Sequence, residues 1–439
     1  MHIYSVTEED DLATSAAVTT PALHLGRIES SQPATVAKAA EAGAMPSLRA
    51  LPEEIAIWEI LVRLPPKALL RCRIVCRAWR RITSTRDFLL AHHARQPALL
   101  LLDDCTNYAK GISDSLNIIC FDHRAGVATP DQLQPVARLT AQTSFHLDAA
   151  LMRVGCRGDN ISYYHPVASC DGLLILCVEG SGFFICNPAT RQYACLPLPL
   201  GHAWWLLGMY PHPSTDEYRL LLYSYKRITD DERQDACHVL ALGSGHPPRH
   251  IGLPDAVTLG LDDPHVLFRG SLHWCTSDYD GECKTIGVFD TRSELFREMR
   301  TPIVASCVDL FEMDDMFGVA ILDCEKIIDI RVLQDYEREI WALNRRIELP
   351  FVEIRVQCDK YDTYIRSPFY VSVTPGDGEL LVLVKFADWL LVVGTDGKLV
   401  ATLHRKGLDS TYFQLKQSLV SHTFFHTQEN YVVNAPPFI

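Results

Sequence analysis

The chain has 439 residues, 48% hydrophobic and 22% charged, a balance that excludes a mainly disordered or fibrous protein. With 41 basic and 54 acidic residues it carries a net charge of −13, which as a whole repels nucleic-acid phosphates. Its longest apolar runs, such as Leu173 to Val178 and Trp389 to Val393, fall far short of the roughly 20 residues of a membrane-spanning helix, so no membrane partner is expected.

Residues 1–46 are rich in Ala, Thr, Ser, Pro and Glu without a sustained period. They are expected to form a disordered tail, because so little apolar area cannot offset the entropy of ordering. Glu8-Glu9-Asp10-Asp11 stands where a signal or transit peptide needs basic residues, so no export is expected. The 15 cysteines are odd in number and contain no CxxC pair. They read as buried small hydrophobes in a reducing compartment, the cytoplasm or nucleus, where the Asn160-Ile161-Ser162 sequon carries no sugar.

Residues 47–95 change character to helix punctuation. Pro52 occupies a first helical position, Glu53 and Glu54 sit in the first turn where the helix dipole favours acids, and Ile55, Trp58, Leu61 and Val62 recur at helical spacing. Pro65-Pro66 stops this helix. A second is expected to follow at once, with Leu69, Cys72, Val75, Cys76 and Trp79 on its apolar face; Ile82, Phe88 and Leu89 continue that face past a Thr83-Ser84-Thr85 break. Residues 60–95 hold nine basic side chains against Asp87 alone, which leaves −21 on the remainder. That acidic remainder argues against a nucleic-acid module. Ile60, Leu61, Leu64, Leu69, Leu70, Ile74 and Val75 are more apolar side chains than so small a bundle can bury, so part of this surface must meet a partner protein.

From residue 96 to 439 the pattern is short apolar strands separated by Gly, Pro, Asp and Asn, the punctuation of an all-β domain. A degenerate unit recurs, clearest at Leu99 to Val127, Gly172 to Leu198, Ser271 to Arg300 and Glu379 to His404, with related pieces at Trp204 to Leu253 and Val308 to Leu349. Six or seven such units of roughly 50 residues match the blade length of kelch-like β-propellers; two packed β-sheets are the competing architecture. The expected class is therefore α+β and multidomain, with a small all-α bundle followed by an all-β, propeller-type domain.

No motif with a catalytic mechanism is present: HExxH, GxxxxGK[ST], GxGxxG and GxSxG are all absent. Gly243-Ser244-Gly245 reads as a structural turn. His92-His93 lacks cysteine partners at zinc spacing, so one ring is expected to be packed and the other solvated. Asp262-Asp263 and Asp314-Asp315 read as solvated loop acids, and Trp204, Trp205, Trp274 and Trp389 as packing residues. No catalytic residue, metal or cofactor is expected.

Leu51-Pro52-Glu53-Glu54-Ile55, Glu59-Ile60-Leu61-Val62-Arg63-Leu64-Pro65-Pro66-Lys67-Ala68-Leu69, Val75-Cys76-Arg77-Ala78-Trp79, Phe88 and His92 together resemble the F-box motif over nearly its whole length. Ala68 departs slightly, standing where a Ser is frequent, as do Ile74-Val75. Downstream, Ser169-Cys170-Asp171-Gly172-Leu173-Leu174, Cys186-Asn187-Pro188-Ala189-Thr190-Arg191, Leu272-His273-Trp274, Val288-Phe289-Asp290 and Leu333-Gln334-Asp335-Tyr336 resemble the F-box-associated, kelch-like region of plant F-box proteins.

The resemblance implies a non-catalytic substrate-receptor subunit of an SCF-type ubiquitin ligase. The F-box would dock a Skp1-like adaptor, and through it cullin and RING proteins, while the β domain would hold the protein to be ubiquitinated and degraded. Leu51, Pro52, Ile55, Ile60, Leu61, Leu64, Pro65, Val75 and Trp79 are the expected docking positions, Val75 and Trp79 being equally suited to the bundle's own core. Leu61→Asp is expected to abolish docking and leave the β domain folded. The alternative is a non-degradative scaffold or a ligand- or glycan-binding propeller that carries an F-box.

Overall fold

The computed structural model describes residues 53–104, 115–121, 135–140, 164–178, 182–199, 201–215, 217–227, 233–253, 264–277, 282–305, 308–323, 326–358, 370–376, 378–386, 388–404, 408–427 and 429–433. They lie in one compact unit, Leu51–Ile439. The expected tail, Leu51, Pro52, the sequon at Asn160 and the Asp262-Asp263 pair fall outside the described residues.

The first helical stretch changes its winding twice, from α1 (Glu53–Ile55) to a π turn (Ala56–Ile60) and a 3-10 turn (Leu61–Arg63). It ends at Leu64, which turns extended at φ −70 and ψ 147 because the prolines that follow disfavour helix for the residue before them. Pro66 then occupies the first position of α2 (Pro66–Cys72). The expected second helix is in fact two. Cys76 adopts φ −152 and ψ 161, and its thiol accepts the Trp79 N–H at 3.4 Å to cap α3 (Arg77–Ile82). The β-branched pair Ile74-Val75, which supports helix weakly, lies in the turn between the two helices. Thr85 caps α4 (Arg86–Ala94), its hydroxyl accepting the Phe88 N–H at 3.4 Å.

Only Arg95, Gln96 and Pro97 separate α4 from the first strand. Twenty-five strands follow among the described residues. Blade one contains β1 (Ala98–Asp104), β2 (Ser115–Phe121) and β3 (Pro135–Thr140). Blade two is β4 (Tyr164–Cys170), β5 (Leu173–Val178), β6 (Gly182–Asn187) and β7 (Gln192–Cys195); blade three is β8 (Ala203–His212), β9 (Glu217–Arg227), β10 (Arg233–Ala241) and β11 (Arg249–Gly252). Blade four is β12 (Val266–Phe268), β13 (Ser271–Ser277), β14 (Cys283–Asp290) and β15 (Leu295–Ala305). Blade five is β16 (Val308–Met313), β17 (Met316–Asp323), β18 (Ile327–Asp335) and β19 (Ile340–Glu348). A short helix, α5 (Phe351–Cys358), leads to blade six: β20 (Tyr370–Pro375), β21 (Leu380–Phe386), β22 (Trp389–Val393) and β23 (Leu399–His404).

The ring closes through the chain's far end. β24 (Leu408–Lys416) pairs antiparallel with β1, from Ala98 opposite Lys416 to Asp104 opposite Leu408, and becomes the innermost strand of blade one. Each blade is an antiparallel meander, and β25 (Glu429–Val433) adds a fifth strand outside β7 of blade two. Six blades with terminal closure resolve the expectation in favour of the propeller. Closure of this kind leaves no long unpaired strand edge at the seam.

The recurring turns found in the sequence are the hairpins between third and fourth strands. Asn187 Oδ1 accepts the N–H groups of Ala189 and Thr190, Asp290 Oδ1 those of Arg292 and Ser293, and Asp335 Oδ1 those of Glu337 and Arg338. These side-chain-to-backbone bonds are what selects Asn or Asp at the position. The tryptophans pack as expected: Trp204, Trp274 and Trp389 are 6%, 1% and 8% exposed. Asp314 and Asp315 form an exposed left-handed turn.

Candidate functional site

The four-helix region has a small core of Ile57, Leu61, Val62, Leu69, Phe88 and Leu89, joined by Leu419 and Val420 from beyond β24. The Leu64 carbonyl precedes two prolines, which offer no N–H, and finds its partners on α4 instead. His92 Nε2–H donates to it at 2.7 Å and Gln96 Nε2 at 3.2 Å. His92 is fully buried and stacks on Phe88, and burial lowers its pKa. His93 also packs: Nδ1–H donates to the Gln417 carbonyl at 3.1 Å. The expectation that one of the two rings is solvated is thus corrected, because the propeller supplies the second ring with a partner.

Outside this core, seven large apolar side chains remain exposed on the helices: Ile55, Trp58, Ile60, Leu70, Ile74, Val75 and Leu90. Ile74 and Val75 reach 85% and 68% on the turn between α2 and α3. Arg63, Lys67, Arg71, Arg77, Arg80, Arg81, Arg86 and Arg95 are exposed among them. Arg73 differs, since its guanidinium ties α2 to α3 through the Thr83 hydroxyl and carbonyl. The result is an apolar surface in a basic field, suited to an acidic partner with apolar side chains of its own.

Of the expected docking residues, Ile55, Ile60, Pro65 and Val75 are exposed, while Leu64 and Trp79 are half-buried against the core. Leu61 requires a correction: at 3% exposure it belongs to the core. An aspartate there would put a charge into the helices' interior, so Leu61→Asp reports on folding and not on docking. Exposure of Val75 removes the reading of that residue as core. Trp58, Leu70, Ile74 and Leu90 are exposed positions absent from the expected set. Leu70 and Ile74 were signalled by the apolar surplus of the segment, but Trp58 was not, because a regular helical period places it inside.

The innermost strands of the propeller enclose a smaller, hydrogen-bonded hub. A cavity of about 310 Å3 is lined by Ser169, Asp309, Ser372, Thr374, Phe413 and Gln414, among others. Asp309 accepts the Val373 N–H at 2.8 Å, and Gln414 donates to the Thr374 hydroxyl at 3.0 Å. A larger cavity, about 640 Å3, opens where Arg86, Leu90 and His93 of α4 meet blades two and three. Among the described residues no helix is long and apolar enough to cross a membrane.

Comparison with known proteins decides the family. The model of the F-box associated beta propeller domain matches residues 131–393, more than half the chain. The chain belongs to the F-box-associated β-propeller family. An F-box-like model matches residues 48–95 of this F-box-associated protein, the segment that carries the exposed apolar and basic side chains. An F-box protein of Arabidopsis thaliana is 26% identical over 322 residues, covering 68% of this chain and 79% of that one. An F-box/LRR-repeat protein of the same plant is 23% identical over 316 residues, covering 68% and 65%. A putative F-box protein, also from Arabidopsis thaliana, is 28% identical over 248 residues, covering 56% and 58%. F-box proteins are generally non-catalytic adaptors, and an F-box beside a β-propeller is the make-up of SCF substrate adaptors. The F-box implies a Skp1-type partner, and the F-box-associated propeller a substrate-binding surface.

Proposed function

We propose that this protein docks a Skp1-like adaptor through Ile55, Ile60, Leu70, Ile74 and Val75, joins cullin and RING proteins through that adaptor, and presents a target protein for ubiquitination and degradation in the cytoplasm or nucleus. The observation that carries the reading is the set of seven exposed apolar side chains interspersed with eight exposed basic ones on so small a helical region. Solvent-exposed apolar surface of this density is costly unless a partner covers it.

The target side of the reading follows from strand direction. The helices meet the first-to-second and third-to-fourth hairpins, through Asp171 and Ala189 among others. The far ends of the second strands, at Val178, Arg227, Ser277 and Phe386, therefore lie toward the opposite face. A target held there is tethered near the conjugating enzyme at roughly millimolar effective concentration, with no catalytic group required of this chain.

The test is direct binding of the full-length protein to a purified Skp1-like adaptor. Ile74→Asp with Val75→Asp is expected to weaken binding about 100-fold or more, since central interface positions carry most of the energy. The thermal midpoint should stay unchanged, because both side chains are exposed. Wild-type affinity in a folded double variant would refute the docking surface.

A further inference from the structure

Two stretches of chain hold the helices to the propeller, one covalently and one by packing, and both flank blade one. The first is the three-residue link from α4 to β1. The second begins where β24 ends at Lys416, and it does not trail away. Gln417 offers its carbonyl to His93, and Leu419 and Val420, 6% and 5% exposed, complete the core of the F-box. Phe424 and Phe425 then enter the core shared by blades two and three, and β25 pairs with β7, with Val432 opposite Tyr193 and Val433 opposite Gln192.

The seat of this segment is built from motifs that packing within a blade does not explain. Asp171 and Gly172 form the turn between β4 and β5 with φ +49 and +83, both left-handed. A Cβ on Gly172 would stand 2.5 Å from Ser418 Cβ and 2.8 Å from its backbone nitrogen. Only a glycine lets the segment pass so near. Gly243 repeats the device in blade three, where a Cβ would lie 2.7 Å from Phe424 Cβ. Asp171 meanwhile faces His93 Nε2 at 3.6 Å and accepts the Tyr218 hydroxyl at 2.9 Å; these two partners, His93 foremost, hold its carboxyl below the usual range. One turn thus touches helix, blade two, blade three and the returning chain.

We infer that residues 417–427 with β25 form a strap that clamps the F-box onto the propeller, seated on the Cys170-Asp171-Gly172 turn, so that the two halves move as one body. That the clamp fixes the distance between adaptor and target rests on the proposed function. The clamp itself does not, and it can be measured without either partner.

Hydrogen exchange of the full-length chain tests it. Val420→Ala trims a side chain in the F-box core and leaves the strap's backbone contacts in place. It is expected to speed exchange of residues 86–94 by about tenfold, as a buried truncation should within a locally cooperative unit, while β13 to β19 stay as protected as in the wild type. Gly172→Ala, which pushes Ser418 off its seat, should do the same to residues 86–94 and 417–427. Unaltered exchange of 86–94 in both variants would overturn the clamp. So would equal loss across helices and blades four and five, which would make the segment an ordinary part of the propeller core. Intact clamping with no adaptor affinity would instead reject the proposed function and leave the strap standing.

Discussion

Single polar residues set much of this molecule's geometry. Four residues after Asp290 and Asp335 the chain turns left-handed, at Glu294 and Glu339. Both glutamates reach back to the preceding blade: Glu294 pairs with Arg219 at 3.1 Å and with Arg249, and Glu339 with Arg300 at 3.1 Å and Arg297 at 3.7 Å. The same hairpin therefore closes its own blade and ties it to its neighbour. Buried histidines add a pH dependence. His265 accepts the Met209 N–H through Nε2, and His273 bonds the Tyr336 hydroxyl at 2.9 Å; burial takes both pKa values down to about 4. Because the folded values lie below the unfolded value of 6.5, their contribution is complete above that pH and is lost as pH falls from there toward 4. Urea midpoints are expected to drop over this window, with up to about 3 kcal/mol lost per histidine. A His273→Asn variant should show a shallower drop, and an identical profile would mean that His273 is not buried neutral.

At the scale of elements, the π turn at Ala56–Ile60 explains where periodicity fails. A π turn takes up more residues than an α turn, so the buried face rotates and Ile57 points inward while Trp58 emerges. Ile57→Ala is expected to cost about 2–4 kcal/mol, as core truncations do, and Trp58→Ala distinctly less, by chemical denaturation of the full chain. The reverse order would contradict this register. The breaks at Pro65-Pro66 and before α4 at Thr85 were legible from their punctuation, since both act locally, whereas the break at Cys76 was not. The blades were legible for the same reason: Asn187, Asp290 and Asp335 bond their own hairpins, and the strands between them alternate or run apolar. Leu61 was misplaced because sequence spacing shows an apolar face without showing what covers it. The pairing of β24 with β1, and the docking of His93 on Gln417, join residues more than 300 positions apart, which no local pattern records.

For the whole molecule, closure and clamping depend on the same stretch of chain. A protein truncated after His404 lacks β24 and the strap. It is expected to lose cooperative thermal unfolding altogether and to bind hydrophobic dye, because blade one loses its inner strand and the helices lose Leu419 and Val420. A melt like that of the full chain would show that the first blade stands without its partner.

The strap also bears on how the protein is made. Ribosomes deliver the helices first, yet about 325 residues separate Ala94 from Leu419, roughly 16–65 s of synthesis at ~5–20 residues per second. Throughout that interval the nascent F-box lacks two of its core side chains, so the surface nearest the start of the message is finished last. A chain that ends before Leu419 therefore carries the whole F-box-like sequence without two of the side chains that complete its core.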